Sequence, residues 1–270
     1  MKTLRHTIAP EEEGRMVKQI ARGAMGASHR LFSQVKFAGG VLLDGERALA
    51  NARVRAGQVL ELRLAEEAAP EADATHPAGA VNIVYEDEDL FVVDKCAPLP
   101  CQSSARQTGD TLEARMRAQM PGWTFRPVNR LDKGTSGLML VAKTAYAQDQ
   151  MQRLLHTDHF QREYLAVAEG RLPEKQGLID LPIRKADGAT VKREVGPGGK
   201  EARTWYWVLR EENDRSLVRL RLDTGRTHQI RVHLSALGCP IVGDFLYGTE
   251  SEELPGRFAL HSFRCRFLHP

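Results

Sequence analysis

Apolar residues recur at every second position along Val59-Leu60-Glu61-Leu62-Arg63-Leu64 and along Leu217-Val218-Arg219-Leu220-Arg221-Leu222, the spacing that turns one face of a strand toward a core. Val81-Asn82-Ile83-Val84-Tyr85 and Leu90-Phe91-Val92-Val93-Asp94-Lys95, parted by the acidic turn Glu86-Asp87-Glu88-Asp89, have the pattern of a β-hairpin. Leu138-Met139-Leu140-Val141-Ala142 reads as a buried strand, and the stretches 164–168 and 204–209 are strand-like. Helical spacing is confined to short segments: Met16, Val17, Ile20 and Ala21; Leu31 and Val35; Leu112 and Met116; and Ala147, Met151 and Leu154 within a helix expected from Thr144 to about Leu155. Asp110, with Glu113 three residues on, has the spacing of a capping box for the third of these.

Strands outnumber helices and do not alternate with them, which predicts an α+β fold on a largely antiparallel sheet rather than a doubly wound one. The stretch Glu66-Glu67-Ala68-Ala69-Pro70-Glu71-Ala72-Asp73-Ala74 and its continuation to Gly79 lack apolar periodicity and are rich in alanine, proline and acid. This predicts an N-terminal module over 1–65, a linker over 66–80 and a catalytic-sized body over 81–270. The first module reads as helices followed by a small sheet, with Val41-Leu42-Leu43 entering an Asp44-Gly45 turn and 59–64 closing it.

Composition narrows the class. With 42% hydrophobic and 27% charged residues in 270, the chain has the means to build a core and stay in water. No apolar run approaches membrane-spanning length and the first residues lack the apolar stretch of a secretory signal, so the expectation is a cytoplasmic protein with no membrane partner. Net charge is only +3, yet residues 1–64 carry eleven Lys/Arg against six Asp/Glu. The basic character therefore sits in the first module. Cys96, Cys101, Cys239 and Cys265 form no Cys-x-x-Cys pair and read as reduced thiols, packing outweighing a redox role for Cys101. No metal is assigned, since His228 and His233, five residues apart, are poorly spaced for one helix face.

Candidate chemistry lies in two polar segments. Asp132 sits in Arg130-Leu131-Asp132-Lys133-Gly134-Thr135-Ser136-Gly137, a glycine-bearing turn just before the strand at 138–142, where flanking Arg130 and Lys133 would favour an ionised carboxylate. An Asx-turn aspartate fits that segment equally well. The second segment, Thr224-Gly225-Arg226-Thr227-His228-Gln229-Ile230-Arg231-Val232-His233, is dense in polar groups beside core-like strands, as a site would be.

With these segments in view, the body resembles the RluA-type RNA pseudouridine synthases. The resemblance rests on Val93-Asp94-Lys95, Arg130-Leu131-Asp132 with Thr135-Ser136-Gly137-Leu138, Arg162-Glu163-Tyr164-Leu165-Ala166, the segment 225–233, Pro240-Ile241-Val242-Gly243-Asp244 with Leu246-Tyr247-Gly248, and Leu260-His261, in that order over 81–270. Residues 13–64, with basic helices, Gly39-Gly40-Val41, Asp44-Gly45 and the closing strand, resemble an S-four-type RNA-binding domain. The resemblance implies a pseudouridine synthase fold, a mainly antiparallel mixed sheet with flanking helices, joined to a small α+β RNA-binding domain. It implies Asp132 as nucleophile, Arg231 as its basic partner with Val232 as the apolar residue beside it, and Tyr164 stacking on uracil and helping to remove the C5 proton. Asn129, Arg130, Arg226, His228 and Gln229, with Val232, are the expected substrate contacts. Arg15, Lys18, Arg22, Arg30 and Lys36 are the expected phosphate contacts.

The implied reaction breaks the glycosidic bond to nitrogen, rotates the uracil and joins its C5 to the ribose, without redox change or cofactor. The aspartate either attacks the anomeric carbon or assists formation of a glycal. The base must leave its stack, at a cost of roughly a few kcal/mol. RNA is the expected partner, large-subunit ribosomal RNA before transfer RNA, and a monomer is expected. The chain departs from the family at Asn129, where histidine usually precedes Arg-Leu-Asp, and in the loop Cys96-Ala97-Pro98-Leu99-Pro100-Cys101-Gln102-Ser103-Ser104; both point to unusual target choice. Ending at Pro270, it is expected to have a less complete C-terminal edge than its relatives. Two rivals carry less weight. A non-catalytic RNA-binding or assembly factor would not need Asp132, Tyr164 and Arg231 intact, and a glycoside hydrolase usually needs a second carboxylate that Asp132 lacks. Gly-Thr-Ser-Gly lacks the spacing and lysine of a phosphate loop.

Overall fold

The computed structural model of the protein describes residues 2–64, 79–103, 109–155 and 157–269. The expected linker therefore lies outside the described residues except for Gly79 and Ala80, as does Ser104 of the loop that departs from the family.

The chain opens with a strand, β1 (Thr3–Thr7), followed by α1 (Val17–Arg22), α2 (His29–Phe37), β2 (Val41–Leu43), β3 (Glu46–Arg47) and β4 (Val59–Arg63). These strands form a sheet in the order β1-β4-β2-β3. The expectation of helices followed by a sheet is thus corrected: β1 pairs with β4 from Thr3 opposite Arg63 to Thr7 opposite Val59. As an edge strand with one strongly apolar residue, Leu4, it carries little periodicity to read. Asp44 and Gly45 both adopt positive φ, 52° and 85°, the conformation a tight turn between β2 and β3 requires. Val17, Ile20, Leu31, Val35, Leu60 and Leu62 close a separate small core.

The remaining elements are β5 (Asn82–Glu86), β6 (Leu90–Lys95), α3 (Leu112–Gln119), β7 (Arg126–Pro127), β8 (Ser136–Ala142), α4 (Ala145–Leu154), β9 (Phe160–Glu169), β10 (Gln176–Asp180), β11 (Ile183–Lys185), β12 (Arg193–Val195), β13 (Arg203–Glu212), β14 (Arg215–Leu222), α5 (Gln229–Ala236) and β15 (Leu260–Phe267). The large sheet runs β10-β13-β14-β9-β15-β8-β6-β5, with β7 added against β8 and β11 paired with β12 apart from it. Only β15 and β8 pair in parallel among its described ladders. This is the expected α+β arrangement on a mainly antiparallel mixed sheet.

Burial follows the patterning. Strand β9 alternates buried and half-buried residues along its whole length, one face on the core. In β6 and β8 the continuous apolar runs are buried on both faces: Phe91, Val93, Met139 and Val141 join the main core, while Leu90, Val92, Leu140 and Ala142 pack with Ala147 and Met151 of α4. Helix α3 is capped by Thr111, whose hydroxyl accepts from Ala114 N at 3.0 Å. Asp110, expected to cap it, instead accepts from Arg115 Nε at 2.8 Å, so the start of the helix moves by one residue. Strand β15 lies between β9 and β8, inside the sheet, so the last described strand is central and not an edge. Helix α4 also meets the N-terminal module: Tyr146 packs on its core and Gln150 Nε2 donates to Gly26 O at 2.6 Å, with Lys2 and Asp89 paired nearby.

Candidate active site

Asp132 occupies the loop that leads into β8, and backbone contacts hold that loop from two sides. Thr135 N donates to Asp132 O at 3.1 Å, and Leu99 N donates to Lys133 O at 2.9 Å. Lys95, at the end of β6 and only 1% exposed, directs Nζ to Leu99 O at 2.8 Å, Cys96 O at 3.0 Å and Lys133 O at 3.4 Å. Burial pushes its pKa down to about 8 against the pull of nearby Asp132 and two thiols. The glycines of the turn answer to space. A side chain at Gly137, φ +108°, would come within 2.3 Å of Ser262 O in β15, and one at Gly134 within 2.5 Å of the Phe258 ring.

Across the cleft, α5 delivers Arg231. Its Nη1 donates to Asp132 Oδ2 at 3.1 Å, while Nε and Nη2 form a fork on Asp244 at 2.7 and 2.8 Å. Asp244 is completely buried and Arg231 nearly so. The guanidinium lies between the rings of Phe258 and Tyr247, 4.2 and 4.9 Å from their centroids. Both faces and the Nε edge of the guanidinium are thus fixed by protein before any substrate arrives, and Nη1 is aimed at Asp132, the carboxylate that lines the cleft among the described residues. The Asp132 side chain keeps 29% of its surface exposed. Arg130 and Lys133, expected to favour its ionised form, are exposed, and among the described residues Arg231, the expected basic partner, is the cation within hydrogen-bonding distance of the carboxylate.

His228, at the start of α5 with φ +59°, turns Nε2 to 3.9 Å from Asp132 Oδ2. Its Nδ1 lies 2.8 Å from the Tyr247 hydroxyl, which already accepts from Arg193 N at 2.8 Å. The hydroxyl proton then falls to Nδ1, and the imidazole proton to Nε2, facing the carboxylate. Burial lowers the His228 pKa, so the ring is neutral at pH 7.

Tyr164, on the core-facing side of β9, lines the same cleft of about 880 Å³ as Asp132, Arg231, His228, Asn129, Arg130 and Arg226. Burial pushes its pKa up to about 12. Asn129 is buried and accepts from Leu140 N through Oδ1 at 3.0 Å, which turns its Nδ2, without a partner among the described residues, away from the strand. Arg226 donates through Nε to Glu201 O at 2.8 Å from an exposed position.

One expected contact is corrected, and another, Gln229, lines the cleft with its amide already engaged. Val232 packs with Ile183 and Ala202 away from the cleft, because the next residue after Arg231 is turned about 100° around the helix; the apolar residue α5 presents to the cleft is Ile230. Gln229 has every polar group occupied internally: Oε1 accepts from Thr224 Oγ1 and Arg226 N, and Nε2 donates to Arg203 O and Thr204 Oγ1, all at 2.8–3.0 Å. It staples the 224–228 loop to β13. Asp244, Phe258 and Lys95, which sequence reasoning left without roles, stand directly behind the site; only their presence in or near the ordered motifs hinted at them. Among the described residues no group of three or more His, Cys, Asp or Glu is disposed to hold a metal ion, and no helix is long and apolar enough to cross a membrane.

In the N-terminal module Arg15, Lys18 and Arg22 line one hollow with His29 and with Arg153 of α4. Arg30 is exposed outside it, and Lys36 lines a different groove beside Phe37.

Residues 89–236 match the RNA pseudouridylate synthase family. The chain belongs to that family. An uncharacterized RNA pseudouridine synthase of Bacillus subtilis, YjbO, is 37% identical over 259 residues, covering 94% of this chain and 90% of that one. A protein of Xanthomonas campestris named ribosomal large subunit pseudouridine synthase D is 36% identical over 261 residues, covering 89% and 77%. Among solved structures, human RNA pseudouridylate synthase domain containing 1 is 31% identical with a TM-score of 0.60 over 72% of this chain and 82% of that one. The protein is therefore a pseudouridine synthase, an isomerase acting on RNA, with the fold of that family.

Proposed function

We propose that this pseudouridine synthase isomerises a specific uridine of large-subunit ribosomal RNA, flipped out of its stack, with Asp132 acting at the ribose anomeric carbon. The observation that carries the reading is the Arg231 guanidinium, locked on buried Asp244 and offering Nη1 to Asp132 at 3.1 Å. A carboxylate so held keeps one orientation and one face open to the cleft, as a nucleophile must.

In the proposed sequence, Asp132 either attacks C1′ or removes the C2′ proton to give a glycal, and the N1–C1′ electron pair leaves on uracil. After rotation C5 bonds to C1′, with Asp132 displaced from C1′ or returning the proton to C2′, and the C5 proton is removed to restore the ring. Neutral His228 would hold its N–H toward the carboxylate. Tyr164 would stack on the uracil and accept the C5 proton. With its pKa near 12 the phenol is protonated at pH 7, free phenolate costing about 7 kcal/mol, so its oxygen would take the C5 proton as its own proton passes on to solvent, after the new bond has made C5 acidic.

Asn129, Arg130 and Arg226 would contact the RNA around the target. The N-terminal module would act as an S-four-type RNA-binding unit over 1–65, its hollow of Arg15, Lys18 and Arg22 taking phosphates remote from the chemistry, with Arg30 and Lys36 on its flanks. The ribosomal target is supported by the named activity of relatives such as the Xanthomonas protein. Pseudouridine mapping of total RNA from cells lacking the gene, complemented with wild type or Asp132→Asn, tests the reading. One large-subunit uridine should lose its modification, and only wild type should restore it. Loss of a transfer-RNA site instead would overturn the target, and restoration by the Asn variant would overturn the nucleophile.

A further inference from the structure

Arg162 lies two residues before Tyr164 on β9 and is only 6% exposed. Its Nε and Nη2 are buried with no hydrogen-bond acceptor, and no ion pair reaches it among the described residues. Its Cζ stands 5.7 Å from the Phe160 ring centroid, a contact that orients the guanidinium without neutralising it. The group lines the same cleft as Asp132 and Tyr164. Room for it is built in: a side chain on Gly225 would sit 3.2 Å from Arg162 Nη1. A buried guanidinium without an acceptor is costly, and folds keep one where a ligand supplies the missing charge. Asn129 Nδ2, another buried donor without a partner, lines the same cleft. Donors without acceptors on both residues mark a site for an anion.

Resting on the reading of the cleft as an RNA isomerisation site, we propose that Arg162 forms a phosphate subsite that grips a phosphodiester flanking the target uridine. It is a positioning residue: it fixes the backbone so that the ribose meets Asp132, and takes no part in bond making. A flexible, bidentate guanidinium on a central strand suits this role, since the phosphate replaces the missing acceptors and keeps the register of the flipped nucleotide.

The test compares full-length Asp132→Asn with Asp132→Asn/Arg162→Met, binding the RNA fragment whose uridine the mapping identifies, across about 50 to 200 mM salt. Removing one phosphate contact should weaken binding about ten- to a hundredfold and flatten the slope of log affinity against log salt by about 0.7 to 1. Thermal stability of the free Met variant should hold or rise, because an unpaired buried charge has gone. Arg162→Lys should keep the full salt slope at intermediate affinity. The proposal is overturned if affinity falls with the slope unchanged, which would mean a base or sugar contact. It is equally overturned if the Met variant loses stability while binding and slope persist, which would mean a structural arginine. Neither outcome touches the nucleophile, whose failure would show as modification by the Asp132→Asn enzyme.

Discussion

Asp244→Ala removes a carboxylate that is wholly buried and shared by two donors of Arg231, with Leu246 N and Tyr247 N also turned to it at 3.1 and 3.3 Å. Deleting one partner of a buried pair leaves the other charge uncompensated, at a cost of about 3–5 kcal/mol. In a protein of this size each kcal/mol moves the melting temperature by about 2–4 °C, so a fall of roughly 6–20 °C is expected. The site should suffer more than the fold. Without its fork on Asp244, Arg231 is no longer held against Asp132, and turnover should fall by at least about a hundredfold in the fraction that stays folded, as when a preorganised donor is lost. Urea or thermal melts give the first quantity, and pseudouridine formation at a temperature where both proteins are folded gives the second. Arg231→Met/Asp244→Leu separates the two effects. Removing both charges should restore most of the stability, since apolar replacements of a buried pair are close to neutral, yet leave the enzyme inactive. A stability loss under about 1 kcal/mol in the single variant, or an active double variant, would refute the account of this pair.

Tyr164→Phe keeps a ring that can stack and loses the oxygen, so kcat should fall far more than RNA affinity; equal losses in both would assign Tyr164 to binding alone. Lys95 gives a pH signature. Its folded pKa, about 8, lies below the ordinary lysine value of 10.5, so the unfolded chain holds its proton more tightly. Stability should therefore rise by about 3 kcal/mol as pH climbs from 8 to 10.5, and the rise should be missing in Lys95→Met when urea melts of the two are subtracted; parallel curves would reject it. Gly137→Ala must fit a methyl carbon 2.3 Å from Ser262 O at φ +108°, so it should destabilise the β8–β15 pairing and lower activity together, read by melting and turnover.

Much of the sheet could be read from apolar spacing alone. Strands β6 and β8, with continuous apolar runs, and β14, with clean alternation, carry their burial in the sequence. Strand β1 escaped because an edge strand needs little apolar content. Strand β15 escaped because His261, Arg264 and Arg266 interrupt its pattern while its backbone still fits the centre of the sheet. At the site, Asp132, Tyr164 and Arg231 were visible through ordered motifs, but their mutual support was not. Asp132 and Arg231 are 99 residues apart, and the Asp244 fork and the Phe258 and Tyr247 rings around Arg231 depend on folded geometry that local pattern does not carry. Residue type also overstates substrate contact in a polar segment. Gln229 looks like a ligand in sequence and is consumed by four internal hydrogen bonds, and Val232 sits one helical step from the cleft.

The central claim, that Asp132 acts on the ribose of a uridine, is tested most directly by release of tritium from RNA labelled at uracil C5. That hydrogen leaves only when C5 has bonded to the sugar. The wild-type enzyme should release tritium from the mapped uridine in step with pseudouridine formation. Asp132→Asn, with an unchanged melting temperature and unchanged RNA affinity, should release none. Release by the Asn variant at the wild-type rate would contradict the claim.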